Sequence, residues 1–243
     1  MSLPVLVVGD VHGDLERLFE GLKPYPAELH RTIFLGDLVD GGPFGVGALR
    51  YARDRPNSEV LIGNHEALML AALNNQQQFH RWIMSGGERH DLEELRGDKP
   101  LEEWLRARPA MVELEGGTLL QHADNDGYWD LAGSGSPESI NAVFRQMLRE
   151  PGHEQEIWDA LTTRGMFRRM PGRLGRWLER TGASRVVHGH TPHRSPRPEI
   201  YAEGRAINFD GGLGRYGKSR YQRLQPVQAS VARLDLNAPW LRS

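Results

Sequence analysis

The chain has 243 residues, 39% of them hydrophobic, with 30 Lys and Arg against 32 Asp and Glu and a formal net charge of −2. That length suits a substantial buried core, and the near-balanced charge supplies no global attraction to nucleic acid or anionic membrane, so no specific nucleic-acid binding is expected. Cysteine is absent, which excludes disulfides, thiolate metal sites and cysteine nucleophiles and leaves oxygen and imidazole as the only ligands for a metal.

The opening "MSLPVLVVGD" lacks a basic leader, and no stretch approaches the ~18 apolar residues of a membrane span. A soluble cytoplasmic protein of one domain, residues 1–243, is the expectation. Taken in chain order, short apolar, β-branched runs break off repeatedly at glycine and polar clusters. Val5 to Val8 runs into Gly9, Asp10 and His12, and Ile33 to Leu35 into Gly36, Asp37 and Asp40. Val60 to Ile62 runs into Gly63, Asn64, His65 and Glu66; Leu119 and Leu120 into Gln121 and His122; Val186 and Val187 into His188 and His190; Ile207 to Phe209 into Asp210.

Continuous apolar runs fit strands covered on both faces, and the crevice beyond the carboxyl ends of such strands is where ligands bind. The polar tips are therefore expected to converge. Between the runs, Asp14 is placed to cap a helix with Leu15, Leu18, Phe19 and Leu22 on one face, and "HEALMLAAL" after Asn64 reads as a second helix. Two helical insertions, residues 76–110 and 136–182, interrupt the pattern; in the second, Ser136 can cap and Pro137 takes the first helical position.

Singly, each polar tip is an ordinary turn. As an ordered set, "GDVHG", "GDLVD", "GNHE", "QHA" and "HGHT" resemble the calcineurin-like metallophosphoesterases, in their bacterial phosphoprotein-phosphatase branch, over about residues 5 to 212. The resemblance implies an α/β fold, a four-layer α/β/β/α sandwich of two mixed β-sheets flanked by helices, with two divalent metals at its edge. Motif by motif, it implies Asp10 and His12 as ligands of one metal, Asp37 as the bridge, and Asn64, His122 and His190 as ligands of the second. Oxygen and imidazole suit manganese first, with iron, zinc, magnesium or nickel as alternatives. A metal-bridging hydroxide would attack phosphorus directly. His65 resembles the general acid and Asp40 its orienting partner, while Glu66 fits a supporting role better than direct ligation.

The resemblance has gaps. Gly41 stands where relatives carry a phosphate-gripping arginine, and Arg164, in "WDALTTRG", is the candidate substitute. Residues 164 to 185 hold seven arginines and one acid, which fits a solvated helix face or, alternatively, a rim attracting polyanions. His188, two residues before His190, would share its side of a strand and serve as a ligand or as support from below. "SGGE" (85 to 88) is a helix break or a close backbone approach to substrate. "GLGRYG" (212 to 217) matches a dinucleotide fingerprint without the helix that would give it meaning, "DNDG" (124 to 127) is an Asx turn rather than a calcium loop, and Asp210 is expected to bond backbone or ligand. His193 reads as loop; His30, His80, His90 and His153 read as surface or cap.

The expected activity is hydrolysis of phosphomonoesters, most directly on phosphoserine or phosphothreonine proteins. The alternative is a diadenosine-polyphosphate or other nucleotide phosphohydrolase. A catalytically inactive metal-binding scaffold would require loss of a ligand or of the acid, and all of these residues are present.

Overall fold

The structure is a computed structural model that describes residues 2–214 and 225–234. Among these, β1 (Val5–Val8), β2 (Arg31–Phe34), β3 (Ser58–Val60) and β9 (Val231–Arg233) form one sheet in the order β3-β2-β1-β9. The second sheet runs β4-β5-β6-β8-β7, from β4 (Met111–Leu114), β5 (Thr118–Gln121), β6 (Arg185–His188), β7 (Glu199–Tyr201) and β8 (Ala206–Asn208).

The six apolar runs of the sequence supply the parallel heart of both sheets: β1 pairs β2, β2 pairs β3, β5 pairs β6 and β6 pairs β8, all in parallel. Strands β4, β7 and β9 were not legible as strands. Each is an antiparallel edge, and an edge strand with one open side needs no continuous apolar run. The third run is shifted: the ladder ends at Val60, and Leu61 still donates to the Phe34 carbonyl at 2.9 Å.

Alternation along each strand builds the layers. Val7, Ile33, Leu35, Leu61, Leu120, Val187, Ile207 and Phe209 fill the space between the sheets. Leu6, Val8, Phe34, Leu119 and Val186 point the other way, into the cluster shared with the helices. Full burial of such side chains contributes about 1.5–3 kcal/mol each. This is the α/β/β/α sandwich expected.

Helices α1 (Leu15–Leu22), α2 (Gly45–Asp54) and α3 (Asn64–Ala72) follow the first three strands. Asp14 caps α1 as expected, accepting from Arg17 N; Leu18 and Leu22 are buried, whereas Phe19 is half-exposed against Tyr51. The insertions become α4 (Gln76–Met84), α5 (Arg89–Gly97) and α6 (Lys99–Arg106), and, after the short α7 (Tyr128–Ala132), α8 (Pro137–Met147), α9 (Glu154–Thr162), α10 (Met166–Arg169) and α11 (Pro171–Thr181). Ser136 caps α8 through Ser139 N. No described helix is long and apolar enough to cross a membrane.

Candidate active site

The polar strand tips do converge, and the backbone is bent to make them do so. His12, Asp37, Asp40 and His190 all occupy the left-handed region, with φ of 51°, 52°, 65° and 61°. For residues with a Cβ that conformation costs on the order of 1–3 kcal/mol each and collects where function demands a particular aim. Gly63 allows the chain to pass where a Cβ would lie 2.3 Å from Asp37 Oδ1.

Two groups of ligand atoms result, each within 4.8 Å: His12, Asp37 and His65, and Asp37, His122 and His190. Asp37 belongs to both. Its Oδ1 accepts from His65 N at 3.0 Å, while its Oδ2, buried, has no hydrogen-bond partner and lies 3.4 Å from His122 Nε2 and 3.8 Å from His190 Nδ1. Asn64 Oδ1 lies 3.0 Å from His122 Nε2. Asp10 turns Oδ1 to His190 N at 2.9 Å and Oδ2 to within 3.8 Å of His12 Nε2.

The imidazoles are oriented from behind. His122 Nδ1 meets the Leu35 carbonyl at 2.8 Å and His12 Nδ1 the Val39 carbonyl at 3.2 Å, so in each Nε2 is the nitrogen turned to the cluster, the arrangement that aims a metal-binding histidine. His190 Nε2 has both the Thr162 carbonyl at 3.1 Å and Arg164 Nε at 2.9 Å. A neutral ring can satisfy only one of them: proton on Nε2 serves Thr162, lone pair there serves Arg164.

Electrostatics follow from crowding. Burial, then the charges of Asp210 and Asp37, push Asp10 well above the usual carboxylate range. Asp210 is pushed up to about 7, first by burial, although Gly212 N donates to its Oδ1. Burial and the neighbouring His65 lower His12 to about 3, and burial lowers His190 to about 3. Against burial, the Asp37 carboxylate raises His122 to about 9, and those of Asp37 and Asp40 raise His65 to about 9.

His65 Nδ1 lies 2.8 Å from Asp40 Oδ2, and Trp82 Nε1 donates to both oxygens of Asp40 at 2.8 and 3.0 Å. Glu66 takes four backbone N–H groups, of Asp37, Leu38, Val39 and Gly63. Both its oxygens are taken up in bracing the loop that carries Asp37.

Above the cluster lies a cavity of about 540 Å³ lined by Asp10, His12, Asn64, His65, Arg164 and His190, with Asp210, Met84, Ser85, Trp158 and Pro192 on its walls. Arg164 is thus brought in from the helical cap. His188 is not: its Nδ1 meets the Gly189 carbonyl and its Nε2 the Tyr201 hydroxyl, each at 2.8 Å. The expectation of a shared face with His190 fails because β6 ends at His188 and His190 turns through a left-handed φ. The "SGGE" glycines do not line this cavity, although Ser85 does. Gly87 presses against Trp82, where a Cβ would fall 2.2 Å from the ring, and the Gly86 carbonyl accepts from Gly41 N. His193 sits in a loop but is buried. In "GLGRYG", Gly212 to Gly214 pack near the site, and residues 215 to 217 lie outside those described.

The sequence matches the calcineurin-like phosphoesterase family over residues 3–194. The chain belongs to that family. A symmetrical bis(5'-nucleosyl)-tetraphosphatase of Methylococcus capsulatus is 30% identical over 211 residues, 80% of this chain and 73% of that one. A relative of the same name from Marinomonas sp. is 29% identical over 51% of this chain, which spans 46% of that relative's length. Serine/threonine-protein phosphatase 1 of Salmonella typhimurium is 35% identical over 86 residues, 35% of this chain and 39% of that one. Among solved structures, a cold-active protein-tyrosine phosphatase of Shewanella sp. shares the fold at TM-score 0.67 and 18% identity, covering 96% of this chain and 81% of that one.

Calcineurin-like phosphoesterases are metal-dependent phosphoester hydrolases built around a dinuclear divalent centre, and the donor set here suits one. Three buried carboxylates facing one another need positive charge nearby, and the partnerless Asp37 Oδ2 sits within 3.4 and 3.8 Å of ring nitrogens of His122 and His190. Sequence reasoning missed Trp82 as the donor to Asp40. Its only signal was an aromatic residue on an amphipathic helix, which reads as core.

Proposed function

We propose that the chain is a dinuclear metal phosphohydrolase whose substrates are dinucleoside polyphosphates. This reverses the order of preference set by the motifs alone, which put phosphoproteins first. The observation that carries the choice is the extent of likeness: 80% of the chain aligns with a symmetrical tetraphosphatase, against 35% with a serine/threonine phosphatase.

In this reading Asp10 and His12 would hold one cation, Asn64, His122 and His190 the other, and Asp37 both. Bound there, the cations supply Lewis acidity toward phosphoryl oxygens and lower the pKa of water toward neutrality. The chain's own groups do the rest. Arg164 offers a planar fork of donors to a phosphoryl oxygen, standing in for the arginine that Gly41 replaces. Held protonated on both nitrogens by the Asp37 and Asp40 carboxylates, His65 gives its Nδ1–H to Asp40 and keeps its Nε2–H for the leaving oxygen. Trp82 holds Asp40 in turn, and Glu66 fixes the loop bearing Asp37. Asp40, Glu66 and Trp82 are themselves buried, which keeps their hydrogen bonds out of competition with water.

Comparing diadenosine tetraphosphate, a phosphoserine peptide and an aryl phosphate on chelator-stripped protein, with each divalent metal restored in turn, tests the proposal. It predicts kcat/KM for the tetraphosphate at least ~10-fold above that for the peptide, the discrimination worth about 1.4 kcal/mol. A peptide preference of that size would instead establish the phosphoprotein reading, which the 86-residue match to the Salmonella enzyme favours.

A further inference from the structure

The loop "DND" (124 to 126), one residue beyond His122, bonds through each of its three side chains to the cap segment that carries Arg164. Asp124 Oδ1 accepts from Gly165 N at 2.7 Å and from Thr191 Oγ1 at 2.8 Å, so a single oxygen joins the residue after Arg164 to the residue after His190. Asn125 Nδ2 donates to the carbonyls of Ala160 and Thr163 at 2.9 and 3.0 Å, satisfying acceptors that the end of α9 leaves open. Arg173 Nε donates to Asp126 Oδ2 at 2.9 Å. The loop is itself braced: Asn125 Oδ1 accepts from Gly127 N as an Asx turn, and Gln121 Nε2 donates to the carbonyls of Ala123 and Asn125.

From this geometry we infer that Asp124 and Asn125 are positioning residues for the reaction, setting the guanidinium of Arg164 against the cluster that contains His122 and His190. The inference rests on Arg164 as the phosphate-binding arginine. Arg164 stands between α9 and α10, next to Gly165 with its φ of 66°, so it belongs to neither helix and no helical hydrogen-bond ladder fixes its backbone. Asp124 and Asn125 hold it on both sides, at Thr163 and at Gly165. A turn that served only its own loop would not spend both side chains across the cavity wall. A long flexible side chain gains from this, because the ordering entropy of its backbone is met in folding rather than on binding substrate.

The test is a double-mutant cycle on the metal-loaded enzyme with an aryl phosphate, reading KM, kcat and thermal midpoint. Arg164→Ala is expected to raise KM roughly ten-fold, the loss of one charge-assisted contact. Asp124→Ala should raise KM by a similar factor in the parent and by little in the Arg164→Ala background. Asp124→Asn, which keeps an Oδ1 for both Gly165 and Thr191, should return KM to that of the parent. Should Asp124→Ala fail to fold, Asn125→Ala takes its place in the cycle. If the loop variant's loss is undiminished without Arg164, or falls only on thermal stability, the positioning role is overturned while Arg164 stands. If Arg164→Ala itself leaves KM unchanged, the assignment of Arg164 is overturned and the positioning role with it.

Discussion

The loops at the sheet edges and the helices of the cap face the same cavity, and they are held in place by different means. At the sheet edges backbone groups fix the side chains: four N–H groups on Glu66, the Leu35 carbonyl behind His122, the Val39 carbonyl behind His12. In the cap, besides the backbone contacts that Asp124 and Asn125 make beside Arg164, much of the support runs between side chains. Trp82 reaches Asp40, Arg173 reaches Asp126, Arg180 stacks on Trp129 at 4.2 Å, and Met84 stands 87% exposed at the cavity wall. Backbone-borne contacts survive most substitutions nearby, whereas a contact between two side chains is lost with either partner. The ligand cluster therefore suits chemistry that must not vary, and the cap suits adjustment to a substrate.

The widest separation of the two regions is expected from His65→Asn. We expect kcat to fall by about 10²–10⁴, the range for loss of a general acid, with metal content unchanged. The loss should be greater on a phosphoserine peptide than on a dinucleoside polyphosphate, whose leaving phosphate is a weaker base than an alkoxide and needs less help from a proton. Equal activity in the variant would remove His65 from the chemistry and leave the sheet edge with ligands alone.

Trp82→Phe tests the link between the regions. Phenylalanine keeps the apolar body and loses the N–H that holds both oxygens of Asp40. The expected result is a loss of kcat of roughly ten-fold, as for one hydrogen bond to a charged group, again with metal content intact. An unchanged kcat would show that Asp40 orients His65 without help from the cap.

The smallest effect belongs to Asp91, which pins α5 to the N-terminus of α2 by accepting from Val46 N at 2.9 Å. Burial raises its pKa from 3.8 to about 6. In the folded state it therefore binds more proton than in the unfolded state between about pH 4 and 6, and its contribution to stability falls as pH rises through that window. Asp91→Asn, which keeps an acceptor, should gain on the parent by on the order of 1 kcal/mol above pH 6 and lose that advantage toward pH 4. Thermal midpoints across that range decide it; a gap independent of pH would exclude the titration.

The same contrast explains what could be read without coordinates. The parallel strands and the clustering of polar tips at their ends were legible because a doubly covered strand must be apolar throughout and the polar groups it delivers follow at once, so both leave contiguous marks in the chain. The edges β4, β7 and β9 left none, and His188 misled because its neighbour His190 abandons the strand geometry that the spacing assumed. Trp82 and the "DND" loop act across 42 and about 40 residues of chain, and nothing in either local sequence names its partner. The seven arginines of 164–185 fit neither expectation as a whole. Arg168 pairs with Glu199 and stacks on Tyr201, and Arg173 and Arg180 bind Asp126 and Trp129, so these three tie the insertion to residues outside it, while Arg169 bonds the Arg164 carbonyl within it.

The central claim is that Asp37 joins two ligand groups into one site for a pair of cations. Equilibrium titration of chelator-stripped protein with manganese, read by metal analysis after removal of the free ion, tests it most directly. The parent should take up two ions per chain, and Asp37→Asn one or none with its fold retained. A parent that binds no manganese, or an Asp37→Asn variant that still binds two with unchanged affinity, would contradict it.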